Sequence, residues 1–329
     1  MLKRPLRFNR RIIFLISIAL LITGVIANLK LGVVDFSISD LKQDSADYHI
    51  IFNIRTPRVL LSALVGMSLA ISGAILQGVL RNPIADPSII GISAGAGLFA
   101  ISVMILLPEH TAYVPPIAFV GALTASVIVY SLAWRGGISP LGLVLAGVAV
   151  GAFFGGLMTL LMVFHSDKVQ GVINWLAGGL QGRSWGHLKM MLPYSVVGTI
   201  IALLLSSRVN ILLLGDDIAR GLGMRVELTR LSLIATSALL AASAVCVSGL
   251  LGFVGLIAPH MVRLIVGGDN RYVIPLSGLF GANLMVYSDM TARVAFSPIE
   301  VPVGVFMALL GSPFFLYLLK RTMAWRLKG

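Results

Sequence analysis

The sequence predicts an all-α polytopic membrane protein of about ten transmembrane helices. Three observations carry that prediction. The 329 residues are 57% hydrophobic and only 12% charged, about half the charge of a soluble chain. The mean hydropathy is +0.96. The apolar residues also fall into long runs rather than the alternating ten-residue segments of a barrel, and in lipid such runs must satisfy their backbones as helices. A soluble multidomain enzyme, a disordered chain and a coiled coil are excluded.

In chain order the runs are 12–29, 59–80, 89–107, 117–134, 141–164, 188–205, 231–251, 256–266, 273–290 and 303–319. A crossing needs about 20 residues, so 256–266 is too short to span as a straight helix. The first run follows Lys3, Arg4, Arg7, Arg10 and Arg11 and mimics a signal peptide. With nine runs behind it, it reads as an anchored first helix. With the N-terminus in the cytoplasm, ten crossings leave about twice as many Lys and Arg inside as outside. Both termini are then cytoplasmic, in residues 1–11 and 320–329, and 1–329 is expected to form one transmembrane domain. The net charge of +12 reflects this bias, not nucleic acid. Cys246 is the single cysteine, so no intrachain disulfide exists.

Three loops exceed turn length. The outer loop 30–56 carries Asp35, Asp40, Asp44 and Asp47, and the outer loop 165–187 carries Trp175 and Trp185. The inner loop 206–230 contains a stretch from Leu214 to Arg225 that predicts a short amphipathic helix. Gly215 precedes it, Asp216 and Asp217 suit its N-terminus, and Gly223 can end it. An internal echo joins two runs: Arg58 opens one reaching Ser72 and Gly78, and Arg230 opens one reaching Ser243 and Gly249. An inverted repeat and a chance match of small-residue helices both account for it.

The chemistry is notable for what it lacks. There is no Walker-type phosphate loop, no His-Glu-x-x-His and no cysteine cluster. The chain is therefore expected to bind no metal, nucleotide or other cofactor itself and to hold no catalytic residue. Gly95-Ala-Gly97-Leu-Phe-Ala100 matches a dinucleotide fingerprint on paper, but no strand precedes it. Runs two to five and run seven have no Asp, Glu, Lys, Arg or His in their interiors. Proton-coupled carriers, the rival class, keep carboxylates near the midplane, so the driving energy is expected from elsewhere. Asp289, His260 and Arg263 read as helix-pairing residues. Gly147, Gly151 and Gly155 form a small-residue stripe that serves either close helix packing or the smooth wall of a wide path. Arg55 and Arg58 bracket Pro57 and share one face. They either reach lipid headgroups or receive carboxylates from an external partner.

Longer motifs then line up in order. They are Arg55-Thr-Pro-Arg-Val-Leu-Leu, Gly73-Ala-Ile-Leu-Gln-Gly78, Arg81-Asn-Pro-Ile-Ala-Asp-Pro87 and Gly91-Ile-Ser-Ala-Gly95. Towards the C-terminus follow Gly252-Phe-Val-Gly-Leu-Ile-Ala-Pro-His260, Pro302-Val-Gly304 and Gly311-Ser-Pro-Phe-Phe315. From Arg55 to Arg321 the chain resembles the FecCD family, the permeases of type II ABC importers for iron–siderophore, haem and cobalamin. The resemblance implies ten helices per subunit, a second permease subunit and two ATPase subunits that bind ATP and Mg. It also implies a periplasmic or lipid-anchored substrate-binding protein. By the same resemblance Arg55, Arg58 and Arg293 dock that binding protein, and Asp216, Asp217, Arg220, Gly221, Gly223 and Arg225 couple to the ATPase. Asn82, Ile84 and Ser139 match the inner gate, beside the path stripe Gly147, Gly151 and Gly155. The segment Asn174-Trp-Leu-Ala-Gly-Gly-Leu180 is similar to the ferric-siderophore branch, although Gly179 replaces its serine. Haem permeases tend to have an aromatic before this Trp and a Met after it, where this chain has Asn174 and Leu176. Ferric siderophore is the first expectation, haem the second, with cobalamin and oxyanions behind.

Overall fold

The computed structural model describes residues 9–31, 46–134, 137, 139–297 and 299–326, with the side chains of all but 46, 47 and 317–326. The side chains of Lys3, Arg4, Arg7, Asp35, Asp40, Asp44, Asp47 and the tail 320–329 therefore lie outside the described residues. In order the helices are α1 (Arg10–Lys30), α2 (Ala46–His49), α3 (Thr56–Val79), α4 (Ile92–Leu106), α5 (Val114–Ala133), α6 (Pro140–Phe164), α7 (Val169–Ala177), α8 (Trp185–Leu213), α9 (Asp216–Gly221), α10 (Val226–Ser248), α11 (Val254–Val266), α12 (Asn270–Val294) and α13 (Val303–Arg326). Apart from the short α2, α7 and α9, each coincides with one of the ten predicted runs.

Six helical stretches are long and apolar enough to cross a membrane by length and composition, and α4, α11 and the described apolar part of α13 are shorter. At 1.5 Å per residue, α11 reaches only about 20 Å, as its short run predicts. Its start explains the shortness. α10 stops at Ser248, and Gly249 turns into the left-handed region at φ 70°. A methyl group at Gly249 would lie 2.3 Å from the Trp175 carbonyl oxygen, so only glycine fits this break.

Two loop assignments need correction. Most of the predicted inner loop 206–230 is helix, because α8 continues to Leu213 and α10 begins at Val226. Ser206, Ser207 and Arg208 mark a change in polarity, but Val209 and Leu212 beyond them are buried, so packing carries the helix on. The outer loop 165–187 contains α7, whose Val172 and Trp175 are buried. α3 is also extended at its start by a π-helical stretch, Ile50–Arg55.

α3 and α10 form the centre of the bundle. In the most apolar stretch of each, 78% of residues are buried, against 22% in α1 and α6. α3 meets α12 where a methyl at Gly66 would stand 2.1 Å from the Gly281 carbonyl oxygen, and one at Gly281 would stand 2.2 Å from that of Gly66. The two backbones are therefore in direct contact, the arrangement that brings helices together in lipid without a hydrophobic driving force. Serines add polar contacts: Ser72 Oγ donates to the Ser237 carbonyl at 2.9 Å, and Ser68 Oγ donates to Ser195 Oγ at 3.1 Å. Such bonds contribute roughly 0.6 kcal/mol each in a membrane. Gly95 and Gly121 make a similar close crossing of α4 and α5, while Gly97 faces Met158 of α6, where a methyl would stand 2.7 Å from the sulfur; packing thus accounts for both glycines of the apparent dinucleotide fingerprint. In the internal echo the two opening arginines are both buried and paired with an acid, Arg58 with Asp289 and Arg230 with Asp216, but the serines have different partners. Ser72 pairs with Ser237, whereas Ser243 lies against Ser195.

Candidate transport path and coupling face

In the orientation predicted from charge, the end bearing Arg81 and Asp216 is the inner end, and that bearing Arg58 and Glu300 is the outer end. At the outer end all three predicted docking arginines are buried. Arg55 Nη1 donates to the Leu29 carbonyl at 2.9 Å. Arg293 Nη2 donates to the carbonyls of Asn28 and Leu31 and to Asn28 Oδ1 at 2.7–2.8 Å. Arg58 forms a fork on Asp289, with Nε to Oδ2 and Nη2 to Oδ1 both at 3.0 Å, and reaches Glu300 Oε2 with Nη1 at 2.9 Å. Within this chain all three guanidinium groups are engaged by its own carbonyls and carboxylates. These groups tie α1, α3 and α12 together because the carbonyls at the end of α1 and the acids of α12 and the following loop lie within reach. Glu300 is only half-buried and also accepts from Gln181 Nε2 at 2.9 Å. Burial works against its charge, but the bonds from Gln181 and Arg58 outweigh this and hold the carboxyl below the usual range.

The glycine stripe divides. Gly147 packs against backbone, where a methyl would come within 1.7 Å of the Ile89 carbonyl oxygen, while Gly151 and Gly155 have nothing within 4 Å. Leu141, Leu145, Val148 and Phe153 of the same helix are exposed. The packing reading therefore holds inside this chain for Gly147 alone. Gly151 and Gly155 belong to an open face of α6. A separate groove of about 680 Å³, lined by Leu20, Phe280, Tyr287 and Phe306 among others, lies between α1, α11, α12 and α13, away from that face.

At the inner end the segment 81–86 doubles back after α3. Asn82 Oδ1 accepts from the Ile84 amide at 3.1 Å, and the Asn82 amide donates to the Gln77 carbonyl at 3.1 Å. Ile84 is exposed. Ser139 is the N-cap of α6, accepting from the Gly142 amide at 2.9 Å. Arg263 does pair helices, as expected: it donates to Gln77 Oε1 of α3.

The predicted amphipathic helix is α9, entered through Gly215 at φ 115° and left through Gly223 at φ 78°. Its two acids differ. Asp217 is fully exposed, with Arg220 at 3.5 Å. Asp216 accepts from Arg230 Nη2 at 2.9 and 3.0 Å and from Arg81 Nη2. Burial works against its charge, but the two guanidinium groups outweigh it and hold the carboxyl below the usual range. Ile218 and Leu222 are 54% and 63% exposed, and nothing lies within 4 Å of a methyl built on Gly221 or Gly223.

Residues 18–321 match the model of the FecCD transport family. The chain belongs to that family. This FecCD permease is 39% identical to the Fe(3+)-citrate import system permease protein YfmD of Bacillus subtilis (strain 168), over 95% of this chain and 96% of the relative. It is 44% identical to the cobalamin import system permease protein BtuC of Halobacterium salinarum, over 82% of this chain and 73% of the relative. Its fold matches an inward-facing metal-chelate type ABC transporter at a TM-score of 0.87 and 30% identity, covering 94% of this chain and 99% of the other. The FecCD chain is a permease of an ABC importer and an integral membrane protein.

Several residues that organise the FecCD site escape sequence reasoning. Glu300 and Gln181 lie outside the quoted motifs. Gln77 and Arg81 lie within two of them, and Arg230 opens one arm of the internal echo, but the sequence pairs none of the three with a partner. Asp269 is similar: it caps α12, pairs with Arg271 at 2.8 Å and accepts from Asn210 of α8 at 2.7 Å. The bonds from Arg271 and Asn210 hold its carboxyl down at about 2.

Proposed function

We propose that this permease imports a ferric siderophore across the cytoplasmic membrane, with both termini cytoplasmic. It pairs with a second permease subunit, the same chain or a homologue. A periplasmic or lipid-anchored binding protein delivers the solute at the outer end, and two ATPase subunits carrying ATP and Mg dock at the inner end. The observation that carries this reading is α9, a separate short helix whose Asp217, Ile218 and Arg220, with Leu222 directly after it, are exposed in a chain without a phosphate-binding loop. Covering Ile218 and Leu222 with a partner groove would be worth about 1.5–3 kcal/mol for each side chain fully buried. The open face of α6 with Gly151 and Gly155 lines the path, and Asn82, Ile84 and Ser139 lie at its inner gate. The three outer arginines set the shape of the surface on which the binding protein docks.

Iron as cargo is supported by the ferric-citrate relative and the metal-chelate neighbour. Cobalamin is the second reading, favoured by the identity to BtuC. Proteoliposomes with the ATPase and the loaded binding protein test both. The expected result is ATP-dependent uptake of a radio-iron hydroxamate siderophore, insensitive to a protonophore. Uptake of cobalamin or haem alone would overturn the choice of solute. Uptake that continues without ATP and stops with the protonophore would overturn the importer itself.

A further inference from the structure

α9 is held to the bundle by the buried Ala219, by the Arg220–Glu227 pair at 3.5 Å and by the half-buried carboxylate of Asp216. Asp216, its first residue, sits between two guanidinium groups, Arg81 and Arg230. Arg230 is among the largest fully buried side chains of the protein and begins the membrane part of α10, so it is a fixed point. Arg81 is different. Its φ is 50°, the left-handed position that closes α3, where the Arg81 amide donates to the Gly78 carbonyl at 3.3 Å and the Asn82 amide to the Gln77 carbonyl at 3.1 Å. Its side chain reaches two other elements: Nε donates to the Leu212 carbonyl at the end of α8 at 3.0 Å, and Nη2 bonds Asp216. The next residue is Asn82, the first residue of the inner-gate segment.

The far side of that segment is held equally firmly. The Ala85 amide donates to the Asn82 carbonyl at 3.1 Å. Gln77 Nε2 donates to the carbonyls of Ala85 at 3.4 Å and Gly255 at 3.1 Å, while Arg263 donates to its Oε1. Residues 82–85 thus form a compact turn with two handles. One handle is Gln77, facing α11. The other is Arg81, facing α9. Charge-assisted bonds of this kind are directional, and glycines with positive φ stand at both ends of α9.

We propose that Arg81 and Asp216 form a strut that joins α9 to the inner-gate turn, so that displacement of α9 is delivered to Asn82 and Ile84. Arg81 is a positioning residue: it touches neither solute nor nucleotide. The proposal rests on the reading of α9 as the ATPase-docking element. Its new content is that docking and gate movement separate when the strut is cut.

The test uses the complete reconstituted importer with two thiol probes, Ile84→Cys at the turn and Leu222→Cys at the C-terminal cap of α9, in a Cys246→Ala background. Labelling rates are compared without nucleotide and with ATP trapped by vanadate. In the parent complex both probes change their rates at least fivefold. In Arg81→Gln the Leu222→Cys probe responds as before and ATP hydrolysis stays within twofold. The Ile84→Cys probe no longer responds, and transport falls at least tenfold. Arg81→Lys keeps the charge but loses the Nε bond to Leu212, so it restores part of the transport. It also serves as the test if Arg81→Gln fails to assemble. An Ile84→Cys response and transport rate that survive cutting the strut would overturn the proposal. If Leu222→Cys is indifferent to the ATPase even in the parent, the reading of α9 itself falls, and the strut with it.

Discussion

Replacement of Arg58 distinguishes a structural arginine from a docking one. Its guanidinium contacts Asp289 through two bonds of 3.0 Å, and the Asp289 side chain is 1% exposed. Arg58→Met would leave that carboxylate buried without a counter-charge, which costs about 3–5 kcal/mol. This is a large share of a folded protein's roughly 5–15 kcal/mol of stability. Asp289→Asn should cost less, because Glu300 still faces the guanidinium at 2.9 Å. The double variant Arg58→Met with Asp289→Leu removes both charges together and should return to within about 1 kcal/mol of the parent, as replacement of buried pairs by apolar residues often does. Denaturant unfolding in detergent, followed by tryptophan fluorescence, gives the double-mutant cycle. Binding-protein capture on the double variant then asks whether docking needs the guanidinium at all. If Arg58→Met keeps parental stability and loses only docking, Arg58 is a free docking group and the buried-pair account is wrong.

Other predictions address the remaining elements. Gly147→Ala should cost about 1–3 kcal/mol by forcing α6 off the Ile89 carbonyl, whereas Gly151→Ala should leave the isolated subunit's melting temperature unchanged. Equal effects at the two positions would remove the distinction between packed and open glycines. Asp269 titrates at about 2 in the fold against about 3.9 unfolded. A lowered folded value means its contribution is complete above pH 4 and is lost as pH falls towards 2. Hydrogen exchange at the end of α8, corrected for intrinsic rate, should therefore be constant from pH 5 to 8. A transition near neutrality would show that another group controls this junction. Replacing α9 with a flexible Gly/Ser linker should abolish ATP-driven transport, and parental transport and ATPase rates in that variant would relocate coupling to another surface.

Composition and run length alone determine the ten-helix architecture, because lipid leaves the backbone no alternative to internal hydrogen bonding. α9 was legible for a related reason: the glycines at 215 and 223 and the acids at 216 and 217 are local signals of where a helix starts and stops. The short α11 followed from its run length, although the reason for its start, the contact of Gly249 with Trp175, lies between distant segments. The fate of each charge was not legible. Arg55, Arg58 and Arg293 carry the same proposed role in the sequence, yet within the chain their partners lie 25 to more than 260 residues away. The same holds for the glycines at 147 and 151, one pressed against a carbonyl and the other open. Helical periodicity places both on a single face, but only tertiary packing decides which part of that face meets another backbone. Asp216 and Asp217 differ in the same way. They are adjacent acids at one helix start, and successive helical residues point about 100° apart, so one turns into the grip of Arg81 and Arg230 and the other into water.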